Sequence, residues 1–246
     1  YFFGVISQIA IFPKMKKNFI ISMPSPNFIY HMATLLPLIS TLICWSIYYS
    51  TSHFRKGRIR TISETVNYFP ENRIFPIAMN IEAIMLLLIF LVRQKIIHKL
   101  ADLKKEVKTK SFRISCTISA ILIYLVVGGL SILSSVTLLD NRVIHLVASF
   151  FFFFGILFYF CISDYCARLV GYSIPYYSLI VPYISLVCAL IYTYITLFVW
   201  RKRFIYSIGS LLEYLTSVLI FMKVFFIGKE TPSHSIINGK EQNKFA

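Results

Sequence analysis

Residues 114–136 read ISCTISAILIYLVVGGLSILSSV, an apolar stretch of 23 residues that contains no Asp, Glu, Lys or Arg. The hydrocarbon core of a bilayer is about 30 Å thick, and an α-helix needs about 20 apolar residues to cross it. A run of this length therefore predicts a transmembrane helix. Membrane-spanning strands alternate apolar and polar residues over about ten positions, so a β-barrel is disfavoured.

Five more apolar runs of similar length flank this stretch, at residues 30–50, 74–92, 143–163, 177–200 and 207–227. The whole chain is 57% hydrophobic and 14% charged, with 23 Phe and 16 Tyr. So few polar side chains cannot cover a globule in water, which excludes soluble, disordered, coiled-coil and disulfide-rich secreted proteins. The sequence predicts an all-α, multi-pass membrane protein with six transmembrane helices.

The distribution of basic residues predicts how these helices are oriented. The chain has a net charge of +15, but its Lys and Arg lie between apolar blocks, as in loops beside anionic lipid, so nucleic acid is excluded as a partner. With six spans both termini share one side, which carries 16 Lys and Arg against 9 on the other. The positive-inside rule therefore predicts cytosolic N- and C-termini. Residues 93–113 hold 8 of these cations and are expected to lie on the anionic cytosolic leaflet, unless they only set topology.

The chain divides into three parts by composition. Residues 1–31 begin with Tyr and contain one apolar stretch too short to span, so we interpret them as an N-terminal extension arising from a fragment or a gene model. Residues 32–228 form the predicted six-helix domain, whose first helix inserts as an uncleaved anchor. Residues 229–246 are polar and are predicted to form a cytosolic tail.

A motif follows the first span, where residues 61–75 read TISETVNYFPENRIF. Its order resembles the DRAM family (damage-regulated autophagy modulators), within a superfamily that includes GPI-lipid remodelling proteins. The positions that carry the resemblance are Ile62, Ser63, Glu64, Pro70, Glu71, Phe75, helical Asn80, His145 and Glu213 followed by Tyr214. Glu64 stands where the family usually has Asp, and Glu82 stands where a small apolar residue is expected.

The resemblance implies a non-enzymatic membrane protein that acts in autophagy or endolysosomal traffic through membrane lipids or protein partners. It implies a lysosomal or other endomembrane location, with the plasma membrane, Golgi and ER as alternatives. A lipid-remodelling enzyme or subunit for GPI-anchored lipids in the secretory pathway is the second hypothesis. A small-solute transporter is the third, because Glu82 lies in mid-helix, but no inverted repeat is detectable.

The loop motif also has a physical interpretation of its own. Glu71 follows Pro70 at a predicted helix start, where a carboxylate offsets the positive end of the helix dipole. The alternative is that Ser63, Glu64 and Glu71 form an acidic luminal site for a lipid headgroup or a partner. We favour the helix-start role, because carboxylates are common in the first turn of helices.

Two glutamates lie deep in the predicted helices. An ionised side chain at the bilayer centre costs about 2.5–3.5 kcal/mol on insertion scales, so Glu82 and Glu213 should face the bundle interior. Candidate partners are His145 and Lys223. His145 and Glu213 share a luminal depth and are expected to meet, whereas Lys223 is ten residues beyond Glu213 on the same helix.

A contact between His145 and Glu213 has two interpretations. It is a polar clamp between helices, or, with Asp140, a general acid/base group that acts on a lipid ester. We favour the clamp and no enzymatic activity, because no nucleophile or metal-ligand spacing is evident. No cofactor and no metal are predicted, since the chain lacks CxxC and HxxxH motifs.

Two of the five cysteines lie at the cytosolic end of the fourth predicted helix. Cys161 and Cys166 are in the position where reversible palmitoylation occurs. The alternative is that both are buried thiols without modification.

Overall fold

Six long helices form an antiparallel bundle in the computed structural model, which describes residues 26–51, 58–104, 107, 109–199 and 202–230. Most of the predicted extension and all of the tail after Glu230 lie outside the described residues. In chain order the helices are α1 (Pro26–Ser50), the single turn α2 (Ile62–Thr65), α3 (Glu71–Leu103), α4 (Lys110–Ser135), α5 (Arg142–Leu169), α6 (Tyr176–Tyr194) and α7 (Arg203–Glu230). A short π-helix, Ile195–Val199, continues α6.

All six long helices are apolar and long enough to cross a membrane, so the predicted fold class is confirmed. The largest difference from the sequence prediction concerns α3, which has 33 residues and is therefore about 50 Å long. Residues 93–103, predicted to begin a basic surface loop, are helical instead. The connection to α4 is short, and Arg93 is buried rather than exposed to the leaflet.

The helix boundaries follow local capping rules. The side chains of Thr109 and Asn141 accept hydrogen bonds from backbone N–H groups in the first turns of α4 and α5. Helix α5 ends where Gly171 adopts a φ of 78°, and the N–H of Tyr172 returns to the carbonyl of Ala167. Only glycine adopts this left-handed conformation at low cost, which explains why the helix stops there.

The most extensive helix contact joins α4 to α5, and small residues bring the two helices close together. A Cβ atom added to Gly129 would lie 2.9 Å from the backbone nitrogen of Phe152, so the two backbones touch. Deeper in the core, the ring of Phe90 packs 4.1 Å from that of Tyr159 between α3 and α5. Helix α7 completes the bundle by packing against α1 and α6.

The bundle has two polar ends, which are named here by their connections. The termini side is where α1 begins and α7 ends, and it includes connections 104–109 and 170–175. The far side carries the connections 51–70, 136–141 and 200–202. The cytosolic placement of the termini side stays a prediction.

Candidate functional site

The far-side site is built on the single helical turn α2. Thr61 precedes the turn, and its hydroxyl accepts a hydrogen bond from the N–H of Glu64 at 3.1 Å. The Glu64 carboxylate accepts one from the N–H of Thr61 at 3.2 Å. This reciprocal capping box is encoded by the sequence TISE, and it fixes the direction in which Ser63 projects.

Glu213 of α7 contacts the turn α2. Its carboxylate accepts a 2.9 Å hydrogen bond from the N–H of Ile62 and lies 3.5 Å from the hydroxyl of Ser63. The first N–H groups of a helix have no partner within the helix, and a carboxylate satisfies them well. Glu213 is buried, so its side chain anchors α2 to the membrane helices.

His145 at the start of α5 contacts the same turn. Its Nδ1 atom lies 2.6 Å from the carbonyl oxygen of Val136, and its Nε2 atom lies 3.0 Å from the hydroxyl of Ser63. Because a carbonyl can only accept, Nδ1 carries a proton, and Nε2 of the neutral ring accepts from Ser63. Since the one Ser63 proton goes to His145, the Glu213 carboxylate only contacts the Ser63 oxygen at 3.5 Å, and His145 and Glu213 meet indirectly, on either side of Ser63.

A narrow cleft of about 40 Å³ runs beside Ser63, His145 and Glu213. Apart from these groups and a few other polar atoms it is lined by apolar side chains, which include Phe75, Met79, Leu133, Phe152 and Phe221. The cleft has room for water but not for an acyl chain in this conformation.

Glu64 is neutralised by two arginines rather than free to bind a ligand. Its Oε1 atom lies 2.7 Å from Arg58 and 3.1 Å from Arg60. Burial lowers the pKa of Arg60, but the Glu64 carboxylate, together with the nearby Tyr48 and Tyr206, raises it, so the pKa lies above its ordinary value. Glu71 begins α3 as predicted and is fully buried, with the Cys44 sulfur 3.9 Å from its carbonyl oxygen. The hypothesis of one acidic surface formed by Ser63, Glu64 and Glu71 is therefore not supported, since each has a separate environment.

Asp140 is not part of the His145 cluster, which corrects the acid/base group considered from sequence. Its carboxylate accepts hydrogen bonds from the N–H and hydroxyl of Thr137, at 2.9 and 2.8 Å. These two bonds favour the charged form and lower the pKa of Asp140. Asp140 therefore fixes the connection between α4 and α5.

The expected partners of Glu82 were also wrong. Its side chain is 0% exposed, and among the described residues neither carboxylate oxygen has a hydrogen-bond partner. His145 is bound to Ser63 and Val136, and Lys223 pairs elsewhere. Asn80 lies on a different face of α3, as expected, and accepts a hydrogen bond from Ser131 of α4 at 2.5 Å.

A second polar cluster, on the termini side, joins three helices through ion pairs. Arg93 of α3 lies 2.5 Å from one carboxylate oxygen of Asp164 in α5, and Lys223 of α7 lies 2.8 Å from the other. Glu230 contacts Arg93 at 3.1 Å and accepts from Ser178 of α6. Two cations thus face two anions, so the buried charges balance.

The sequence interpretation missed this network and assigned Arg93 to a loop and Glu230 to the tail. A signal was present, because Arg93, Asp164 and Lys223 lie close to the same end of three apolar segments. Buried charges at equal depth need partners of opposite sign. Reading the segments side by side would have found the pairing.

The family model for the Frag1/DRAM/Sfk1/Cwh43P N-terminal domain matches residues 27–228. The chain belongs to this family. The match covers nearly the whole of the six long helices of this Frag1/DRAM domain and leaves out the last two residues of α7, Lys229 and Glu230, and it confirms the resemblance seen in the loop motif. Comparisons with curated proteins and with solved structures gave no match.

The cysteines of this Frag1/DRAM domain differ in access. Cys166 is buried, with its sulfur 3.9 Å from that of Cys116 in α4. Cys161 is half-buried and lines a cavity between α5 and α6. Palmitoylation of either residue stays a prediction, and Cys161 is the more accessible thiol. Within the described ranges, no group of three His, Cys, Asp or Glu side chains could hold a metal ion.

Proposed function

We propose that this Frag1/DRAM domain protein acts without catalysis in autophagy or endolysosomal membrane traffic, through membrane lipids or protein partners. The observation that carries the proposal is the docking of α2, because Glu213 accepts a hydrogen bond from the N–H of Ile62 and His145 accepts one from the hydroxyl of Ser63. The polar atoms are thereby used to hold a loop in place. This is the behaviour expected of a structural clamp between a loop and transmembrane helices.

The docked loop presents a surface suited to the membrane interface. Phe69 is 73% exposed and Tyr68 is 39% exposed, next to the buried start of α3. Tyr is enriched where protein meets lipid headgroups, and the exposed Phe69 beside it adds apolar surface. The clamp therefore sets the position of an aromatic contact for a lipid or a partner, and an endomembrane such as the lysosomal membrane is the proposed location.

The experiment is complementation of cells that lack the protein, with His145→Gln and Glu213→Gln expressed at matched levels. Amides can keep one hydrogen bond in each position, so both variants should remain folded, reach the same membrane and retain most of the autophagic flux. His98→Gln, an exposed histidine on α3, is the matched control for the same substitution.

A second function is favoured by one specific distance. Ser63 lies 3.0 Å from Nε2 of His145, and the carbonyl of Val136 orients the ring. A serine, a base and an orienting group are the elements of nucleophilic catalysis, which would suit remodelling of GPI-anchored lipids in the secretory pathway. In that case His145→Gln and Ser63→Ala would be folded, correctly located and inactive, and the lipid composition of GPI-anchored proteins would change. That outcome would replace the non-enzymatic proposal.

A further inference from the structure

A second cavity, separate from the cleft at Ser63, lies between α5 and α6 on the termini side. Its volume is about 440 Å³, within the range of roughly 300–1,000 Å³ in which proteins bind small ligands. Tyr165, Leu169 and Tyr183 line it and are themselves exposed, so the cavity opens on the outer surface of the bundle. The surface between two transmembrane helices faces lipid, so a lipid can enter from the side.

The end of this cavity at Arg168 lies at the depth of lipid headgroups. Helix α5 has 28 residues and is therefore about 42 Å long, whereas the hydrocarbon core is about 30 Å thick. The excess of about 12 Å, shared by the two ends of a centred helix, places about the last turn of α5, which includes Arg168, in the headgroup region. The cavity is lined by residues from Cys161 to Leu169 of α5 and from Leu179 to Tyr183 near the start of α6. A lipid bound here would place its polar group between the helix ends.

The charges around the cavity favour a negative group. Asp164 lies at its inner wall, but both of its oxygens are paired with Arg93 and Lys223. Arg168 also lines the cavity, is exposed, and makes no ion pair within the described part of the chain. The unpaired charge at the mouth is therefore positive.

We propose that this cavity binds the phosphate group of a glycerophospholipid, with Arg168 as its main partner. A guanidinium matches two phosphate oxygens in a planar, bidentate geometry. Leu179 and Pro182 supply an apolar wall for the glycerol and the upper acyl chain, and the Tyr165 and Tyr183 hydroxyls are available at the rim. The inference rests on the proposed action through lipids and names the lipid class and its site.

Binding is measured on the purified full chain after delipidation in detergent, with phosphatidylglycerol as the probe and native mass spectrometry as the readout. Diacylglycerol, which lacks the phosphate, is the lipid control. Arg168→Gln should weaken phosphatidylglycerol binding about tenfold, the effect of losing one charge-assisted contact. Arg142→Gln, at the other end of the same helix, should bind as the unaltered protein does. Leu179→Trp fills the cavity and should also weaken binding.

Each result decides the proposal. Equal phosphatidylglycerol binding by the Arg168→Gln and Arg142→Gln variants would overturn it. So would binding of diacylglycerol to the unaltered protein as tightly as phosphatidylglycerol. Competition by inorganic phosphate as strong as by the lipid would identify a site for the free ion instead. Because binding is measured on purified protein, it can succeed when complementation in cells fails, so the two proposals can fail separately.

Discussion

The two polar ends of the bundle hold the same helices together in different ways. On the termini side, Arg93, Asp164 and Lys223 connect α3, α5 and α7 directly by ion pairs. On the far side, α5 and α7 are connected through the inserted turn α2, by neutral hydrogen bonds and one carboxylate. On the termini side the helices are thus linked directly to one another. On the far side the link between α5 and α7 exists only while the turn α2 is docked.

The two kinds of contact also differ in how much free energy they contribute. Breaking a buried ion pair by removing one partner costs about 3–5 kcal/mol, because the other charge is left uncompensated. Hydrogen bonds between membrane helices average about 0.6 kcal/mol. Local opening is drawn from the less stable parts of a structure, so the far side should open first. The exposed Tyr68 and Phe69 beside α2 lie at this less stable end of the bundle.

The first prediction tests which compartment each end faces, and its effect is all or none. A glycosylation acceptor inserted after Arg55 should be modified, and one inserted between Lys104 and Lys110 should not, because the basic residues predict a cytosolic termini side. The native chain has no Asn-x-Ser/Thr sequence, so any shift in electrophoretic mobility comes from the inserted acceptor. The reverse pattern would exchange the two ends and place the docked turn in the cytosol.

The second prediction concerns the ion-pair joint. Lys223→Met should lower the free energy of unfolding by about 3–5 kcal/mol, because Asp164 and Glu230 then exceed the single remaining cation, Arg93. Thermal unfolding in detergent, followed by circular dichroism, measures the change. Lys202→Met removes an exposed lysine near the start of α7 and should leave the transition unchanged. Equal stability of the two variants would show that the network does not hold the bundle.

The sequence was sufficient for the fold but only partly for the sites. Continuous apolar runs require helices in lipid, so the six spans follow from composition and length. The resemblance to a family singled out Ser63, His145 and Glu213 as positions of interest. Their spacing in the sequence could not show that Ser63 lies between the other two. Contacts between distant segments depend on how helices rotate and pack.

The charged positions show the same limit. Depth along each helix was readable, and it correctly separated Lys223 from Glu213. The orientation of each helix about its own axis could not be predicted from the sequence, so Glu82 was given partners that it does not contact. The bounds of α3 and α7 were underestimated because Arg93 and Glu230 are charged, and the counter-charges that allow their burial lie on other helices.

The third prediction concerns the contact between α4 and α5, two helices that run between the two polar ends. Gly129→Ala should push α4 from α5 and cost about 1–3 kcal/mol, because the added methyl group meets the backbone at Phe152. Gly128→Ala is the matched control, since an added Cβ there meets nothing within 4 Å, and alanine should stabilise the helix by about 0.5–1 kcal/mol. Thermal unfolding of both variants distinguishes the cases. A neutral Gly129→Ala would show that the close approach of α4 and α5 does not limit the stability of the bundle.

The last and smallest prediction concerns the far-side connection between α4 and α5. Asp140→Asn should slightly lower the unfolding midpoint at about pH 7, because a neutral amide accepts more weakly from Thr137 than a carboxylate does. The pKa of Asp140 is lowered in the folded chain from its ordinary value of 3.8, so the folded state favours the charged form. Its contribution is therefore present above pH 3.8 and is lost as the pH falls through the lower folded value. The measurement is the difference in midpoint between the unaltered protein and the variant, which should shrink steadily on acidification below about pH 4. A difference of the same size at both ends of this range would show that the carboxylate charge does not stabilise the connection.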